Sequence, residues 1–166
     1  MSDAPKHLVR TGELDPAEAV VIRHPFNPNS EVSLQRLAER TGMGRVIVTM
    51  ARVQPGKESF ILHAHLQHEE FVYILEGRGT AVIGDREIAV GPGDFMGFPI
   101  DGTAHTLRNT GVTDLVYLMG GERGPLDDAR YPSIGKTVIY SRQDGIRVFD
   151  DAGATELSLT DFVAKD

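Results

Sequence analysis

"HAHLQHEEF" (His63–Phe71) places three imidazoles and two carboxylates within nine residues. Apolar, β-branched runs flank it: "VIVTMARV" (Val46–Val53) before and "FVYILEG" (Phe71–Gly77) after. A strand turns alternate side chains to opposite faces, so His63 and His65 share a face, with Ala64 between them. By the same parity Glu70, Val72 and Ile74 face one way, and Phe71, Tyr73 and Leu75 the other. A turn at "LQHE" folds the Glu70 strand against the histidine strand and sets a carboxylate beside two imidazoles. His105, in "DGTAHTLRN" (Asp101–Asn109), begins a further strand and is placed to complete the set. Three imidazole nitrogens and one carboxylate oxygen suit divalent iron, manganese, nickel, zinc or copper. Ligands drawn from several strands leave one side of an ion open to water or substrate. An H-x-H alone proves little, because short motifs match by accident and a solvated polar loop carries the same residues.

Outward from this stretch the chain reads as strand after strand. "RVIVTMARV", "SFILHAH", "EFVYILEG", "TAVIG", "REIAV", "FMGFP", "AHTLRN" and "DLVYLMG" are separated by "GRG", "GD", "GPGD", "IDG" and "NTG". Those connections hold the residues that accept turn geometry, and Gly84-Asp85 predicts a tight hairpin. Short strands with frequent turns and no intervening helical period imply a sandwich or barrel. "KTVIYS" and "IRVFD" predict two later strands, and "SLTDFVAKD" a polar tail. Ahead of the strands, "LDPAEAVVI" predicts a short helix capped by Asp15, with Pro16 at its first position and Glu18 closing a capping box; His24-Pro25 ends it. "SLQRLAER" predicts a second brief helix through Leu34 and Leu37, ended by Gly42. The expected organisation is one domain over 1–166: an N-terminal arm (1–43), a barrel core (44–120), and C-terminal strands and tail (121–166).

Composition sets the outer bounds. A chain of 166 residues, 40% hydrophobic and 25% charged, is ordinary for a globular domain, and its 18 glycines and 9 prolines fit a turn-rich β architecture. It has no cysteine, which excludes disulfides, thiolate nucleophiles and cysteine-ligated clusters. No segment approaches the ~20 apolar residues that cross a bilayer, and no signal peptide is evident, so a soluble cytoplasmic protein without membrane partners is expected. A net charge of −7 disfavours nucleic acid as a partner.

Gly56, His63, His65, Glu70 and Gly77 together resemble the first motif of the cupin superfamily, G-x5-H-x-H-x(3,4)-E-x6-G. Gly93, Pro99, Gly102, His105 and Asn109 resemble the second, G-x5-P-x-G-x2-H-x3-N. Each match carries one extra residue in a loop, before His63 and between Pro99 and Gly102, which leaves ligand parity undisturbed. Two motifs in the right order are far more specific than either alone. The resemblance implies an all-β fold, a double-stranded β-helix (jelly-roll) cupin barrel with a short helical or extended N-terminal arm and a C-terminal extension. It also implies one divalent transition metal held inside by His63, His65, Glu70 and His105. "GERGPLDDARYPSIGKT" (Gly121–Thr137) further resembles a segment of small single-domain cupins, some loosely labelled sugar-phosphate isomerases, and such proteins commonly pair as homodimers.

The remaining candidates read more plainly. His68 is expected in the turn, facing solvent, and Glu69 on the surface; His7 and His24 are expected to be structural or exposed. Asn109 and the motif glycines shape the barrel. Val48, Met50, Phe60, Ile74, Met96, Phe98 and Leu107 are candidates for core or pocket lining, and Arg45, Arg52, Lys57 and Arg108 for anion contacts. Three functions remain open: a metal-dependent isomerase or epimerase of a sugar-like molecule, a dioxygenase, and a non-catalytic small-molecule binder or sensor. Isomerisation needs a base, and Glu70 leaving the metal is the one inward candidate. Basic residues at the pocket mouth would indicate a phosphorylated substrate; a dry pocket with open metal positions would indicate oxygen chemistry.

Overall fold

Alternation along the strands builds two facing layers. In the computed structural model, which describes residues 5–158, a six-stranded antiparallel sheet has the order β1-β2-β3-β10-β5-β8. These strands are β1 (Val20–Arg23), β2 (Glu31–Arg36), β3 (Val46–Val53), β5 (Glu70–Glu76), β8 (Phe95–Phe98) and β10 (Leu115–Glu122). The second layer joins two smaller sheets. One has the order β7-β6-β9, from β6 (Gly79–Ile83), β7 (Arg86–Val90) and β9 (His105–Arg108). The other has the order β13-β12-β11-β4, from β4 (Ala64–His65), β11 (Leu126–Tyr131), β12 (Lys136–Ser141) and β13 (Gly145–Asp150). An antiparallel bridge between His63 and His105 ties these two sheets together beside β4. The architecture is the expected jelly roll.

Parity holds where the core is built. On β5, Val72 and Ile74 are buried, while Tyr73 and Leu75 are more than a third exposed. The inner faces of both layers meet in a core of Val32, Ala51, Val53, Ala81, Leu107, Leu115 and Tyr117 among others. Each large aliphatic side chain removed from water there contributes about 1.5–3 kcal/mol. A smaller cluster of Ile61, Ala129, Tyr131 and Val138 lies under β11 and β12. Val48 and Met50 take the outer parity of β3, opposite buried Thr49 and Ala51, so they do not belong to this interior. The hairpin at Gly84-Asp85 forms as expected, with Ile83 opposite Arg86 and Gly84 at φ 60°.

Three local expectations are corrected and one strand is added. The first predicted helix shrinks to a single 3-10 turn, Pro16–Glu18, capped by Asp15 Oδ1 on the Ala17 N–H at 2.8 Å. Val20–Arg23 becomes β1 because the β-branched run finds β2 to pair with, and Glu18 reaches Arg40 at 2.9 Å instead of closing a capping box. In "SLQRLAER" only Leu37–Arg40 is helical (α1); Ser33–Arg36 pairs with β3, and that edge overrides helix propensity. "SFILHAH" is a strand only at Ala64–His65. Ahead of it, side chains intercept the ladder: Thr106 Oγ1 donates to the Phe60 carbonyl at 2.6 Å, and Ser59 Oγ accepts from the Leu107 N–H at 3.2 Å. "LDDARY" forms β11, a strand the turn-rich segment around it concealed. No helix among the described residues is long and apolar enough to cross a membrane. The predicted tail lies, apart from Ser158, outside the described residues.

Candidate metal centre

His63 and His105 face each other across the bridge, linked by reciprocal backbone bonds of 3.1 and 2.7 Å. Glu70 starts β5 in the opposite layer, paired with Phe98 on one side and Gly121 on the other. The carboxylate therefore meets the imidazoles across the barrel interior. It does not do so along a hairpin, as expected from a turn at "LQHE", because β4 pairs with β11 and β5 with β8 and β10. Glu70 Oε2 lies 3.0 Å from His105 Nε2, 3.8 Å from His65 Nε2 and 3.9 Å from His63 Nε2. Two donors about 2.1 Å from one ion, at right or tetrahedral angles, are roughly 3.0–3.4 Å apart. The observed spacings are close to that range. The donor atoms of His63, Glu70 and His105 all lie within 4.8 Å of one another and can hold an ion; His65 stands at the edge of this group through Glu70.

The rings are held in orientation. Phe98 stacks on His105 with centroids 3.5 Å apart and planes 3° from parallel. His63 Nδ1 lies 2.8 Å from the Ile61 carbonyl, which fixes the proton there and leaves Nε2 with its lone pair. His65 Nδ1 lies 2.6 Å from Asp127 Oδ2, with the same consequence. His105 Nδ1 is buried without a partner. Burial, reinforced by neighbouring His105 and His65 against the pull of Glu70, lowers the His63 pKa to about 4 and keeps it neutral. Burial would lower that of His65, but the Asp127 bond and the charges of Glu70, Asp127 and Asp128 raise it overall. Burial would raise that of Glu70, but the His105 bond and the three imidazoles hold it below its ordinary value. Nε2 of His63 and of His65 carries its lone pair toward an ionised carboxylate, and His105 Nε2 becomes a ligand when it exchanges its bond to Glu70 for the ion; that donor set fits a divalent first-row metal.

Above these donors lies a pocket of about 540 Å³, within the range of small-molecule sites. Its walls are chiefly apolar: Phe60, Ile61 and Met119 near the donors, Val138, Ile146 and Val148 from β12 and β13, Ile22 and Phe26 from the arm. Polar groups are few. Tyr131 and Tyr140 share a 2.7 Å hydrogen bond, and burial raises the pKa of both. The charged residues on its walls are Arg23, Arg36 and Glu70.

Of the other sequence candidates, Phe60 lines this pocket, and Phe60, Met96, Phe98 and Leu107 line a small void behind the donors together with Tyr117. Burial holds the Tyr117 phenol well above its ordinary pKa, and its hydroxyl has no well-formed hydrogen bond. Arg52 and Arg108 pair with Asp114 and Glu87 at 2.8 Å, and neither they nor Arg45 and Lys57 line the pocket. Glu69 and His7 are exposed. His68 is not the solvent-facing turn residue expected: it is half-buried, its Nε2 accepts the Gly124 N–H at 3.1 Å, and its Nδ1 is 3.6 Å from Asp127 Oδ1. His24, expected to be structural or exposed, lines the pocket, edge-on to Tyr131 at 5.2 Å. Sequence reasoning missed Arg23, Arg36, Asp127 and the tyrosine pair, because long-range packing of arm and extension brings them in. One signal was present: Asp127, Ala129 and Tyr131 share a parity.

A jelly-roll barrel that gathers imidazoles and a carboxylate at the floor of an apolar pocket defines a class of small-molecule or ion-binding β-barrel. The sequence profile of the family described as Cupin domain matches residues 49–120. The chain is 30% identical to a candidate sugar phosphate isomerase from Acidithiobacillus ferrooxidans and superposes on its crystal structure with a TM-score of 0.87, covering 92% of this chain and 97% of that one. A sugar phosphate isomerase of the cupin superfamily from Silicibacter pomeroyi is 26% identical with a TM-score of 0.76, over 89% and 98% of the two chains. The oxalate-binding protein of Thermotoga maritima is 29% identical over 119 residues, 71% of this chain and 95% of that protein. The chain belongs to the cupin superfamily.

Proposed function

We propose that this cupin binds one divalent transition metal through His63, His65, Glu70 and His105, and acts as an isomerase or epimerase on a small phosphorylated, sugar-like molecule. The observation that carries this reading is the charge of the pocket. In a chain of net charge −7, two of the three charged wall residues are arginines. Arg23 spends its Nε on Glu31 at 2.9 Å, which leaves its terminal nitrogens for another acceptor. Arg36 lies 3.6 Å from Glu39, which itself holds Arg123 at 2.7 Å. Guanidinium groups bind phosphate oxygens in pairs, and both of these stand at the solvent-exposed mouth of the pocket, where a phosphate can reach them.

A bound divalent ion supplies Lewis acidity toward a carbonyl or hydroxyl oxygen. The chain's own residues hold the anionic end at Arg23 and Arg36, present a hydroxyl donor from the Tyr131–Tyr140 pair, and exclude water with the apolar walls. Proton transfer falls to Glu70 on leaving the metal, the one inward carboxylate among the pocket walls. The likeness to the two sugar phosphate isomerases supports the substrate class, and that to the oxalate-binding protein supports a second reading, non-catalytic binding of a small carboxylate. The apolar walls also favour oxygen chemistry as a dioxygenase.

The test is a panel of aldose and ketose phosphates offered to manganese-loaded protein in deuterium oxide, read by proton NMR. Isomerisation or solvent exchange at the carbon beside the carbonyl is expected, with Arg36→Ala raising KM about tenfold or more. Oxygen uptake by the iron-loaded protein without isomerisation, or tight oxalate binding without turnover, contradicts it.

A further inference from the structure

The strands beyond the matched family region do more than cover the barrel. Asp127 on β11 is buried beside the apolar positions Ala129 and Tyr131, where an aliphatic residue would serve packing better. A carboxylate taken out of water is destabilising unless its oxygens are answered. One of them is: Oδ2 lies 2.6 Å from His65 Nδ1. The other, Oδ1, is buried without a hydrogen bond, and His68 Nδ1 stands 3.6 Å from it. Because His68 Nε2 accepts the Gly124 N–H, the proton of its neutral ring sits on Nδ1, toward Asp127. A side chain at Gly124 would overlap the His68 ring, so the backbone there is shaped to admit it.

We infer that Asp127 is a positioning residue of the metal centre: it fixes His65 with its proton on Nδ1 and Nε2 directed at Glu70, so that the C-terminal sheet completes a site the barrel motifs begin. An imidazole whose Nδ1–H donates to a carboxylate carries its lone pair on Nε2 and is a stronger donor there. The inference rests on the metal reading above, and concerns a residue outside the region matched by the family profile.

The experiment measures binding of manganese or zinc alone to the full chain by chelator competition, in wild type, Asp127→Asn, Asp127→Ala, His65→Ala and the His65→Ala/Asp127→Ala double variant. Asp127→Ala is expected to weaken binding ~10–100-fold, and Asp127→Asn, which keeps an acceptor but no charge, by at least ~3-fold. In the His65→Ala background Asp127→Ala is expected to add less than ~2-fold, because the effect passes through that ring. Nitrogen-15 shifts of metal-free protein should show His65 as the Nδ1–H tautomer in wild type and a mixture in Asp127→Ala. Binding within twofold of wild type in both Asp127 variants, or an equal loss with and without His65, overturns the inference; if Asp127→Ala does not fold, Asp127→Asn alone decides. Failure of wild type to bind either metal overturns this and the metal reading together, whereas tight binding by wild type and variants alike overturns this one alone.

Discussion

At the scale of single residues, the candidate centre is a balance between burial and mutual attraction. Three imidazole Nε2 atoms address one carboxylate oxygen at 3.0–3.9 Å, an arrangement that leaves each donor dependent on the others. Replacing His63, His65 or His105 with alanine is expected to lower metal content at least tenfold with the barrel still folded, checked by elemental analysis and circular dichroism. His68→Ala is expected to cost no more than a few-fold, since its ring reaches the donors only through Asp127. The metal-free protein should also be acid-sensitive in a defined sense. His63 resists protonation down to about 4 when folded, yet takes a proton near 6.5 when unfolded. The unfolded state thus binds more protons between those values, and stability falls as pH drops from about 6.5 to about 4. Glu70, held below its ordinary value, adds loss of the same sign in the lower part of that window and beneath it. His65, raised when folded, acts with the opposite sign but above this window, its contribution complete below about 6.5 and fading as pH rises past it. Urea midpoints across this range should fall, and fall less steeply in His63→Ala.

At the scale of elements, the motif residues outside the centre hold strand ends. Gly56, Gly77, Gly93 and Gly102 all have positive φ. Gly77 is doubly constrained, at φ 80° with the Asp114 carbonyl where a Cβ would lie. Gly77→Ala is expected to cost about 2 kcal/mol or more by urea denaturation, because strain and overlap act together. Asn109 is fully buried, its Nδ2 donating to the Val53 and Thr113 carbonyls at 2.7 and 2.8 Å and its Oδ1 accepting from Gly111 at 3.0 Å. These roles were legible in the sequence, as were β3, β5 to β10, β12 and β13, because turn residues and period-two alternation are local signals. What was not legible is long-range. β1 and β2 look helical until β3 offers an edge, and residues 59–63 read as a strand until side chains of Ser59 and Thr106 take its hydrogen bonds. The partners of Glu70 were named correctly as neighbours but by the wrong route, since a two-residue β4 pairs with β11 rather than β5.

At the scale of the whole molecule, the arm and the C-terminal sheet turn an open barrel into a walled pocket. Ile22, Arg23 and Phe26 come from one end of the chain, and Tyr131, Tyr140 and Val148 from the other, over donors supplied by the middle. The outermost strands β1 and β13 carry exposed apolar residues, Val20, Val21, Ile146 and Phe149. Edges of that kind favour pairing, so a two-fold homodimer is expected, checked by light scattering coupled to size exclusion. The central claim is that donors from three strands and the loop before β4 meet at one interior point to hold an ion. Elemental analysis of protein purified without a metal-affinity column tests it most directly. Close to one equivalent of a first-row transition metal per chain is expected, lost in His105→Ala; no bound metal, and none taken up on incubation with iron, manganese, nickel, copper or zinc, would overturn the metal reading.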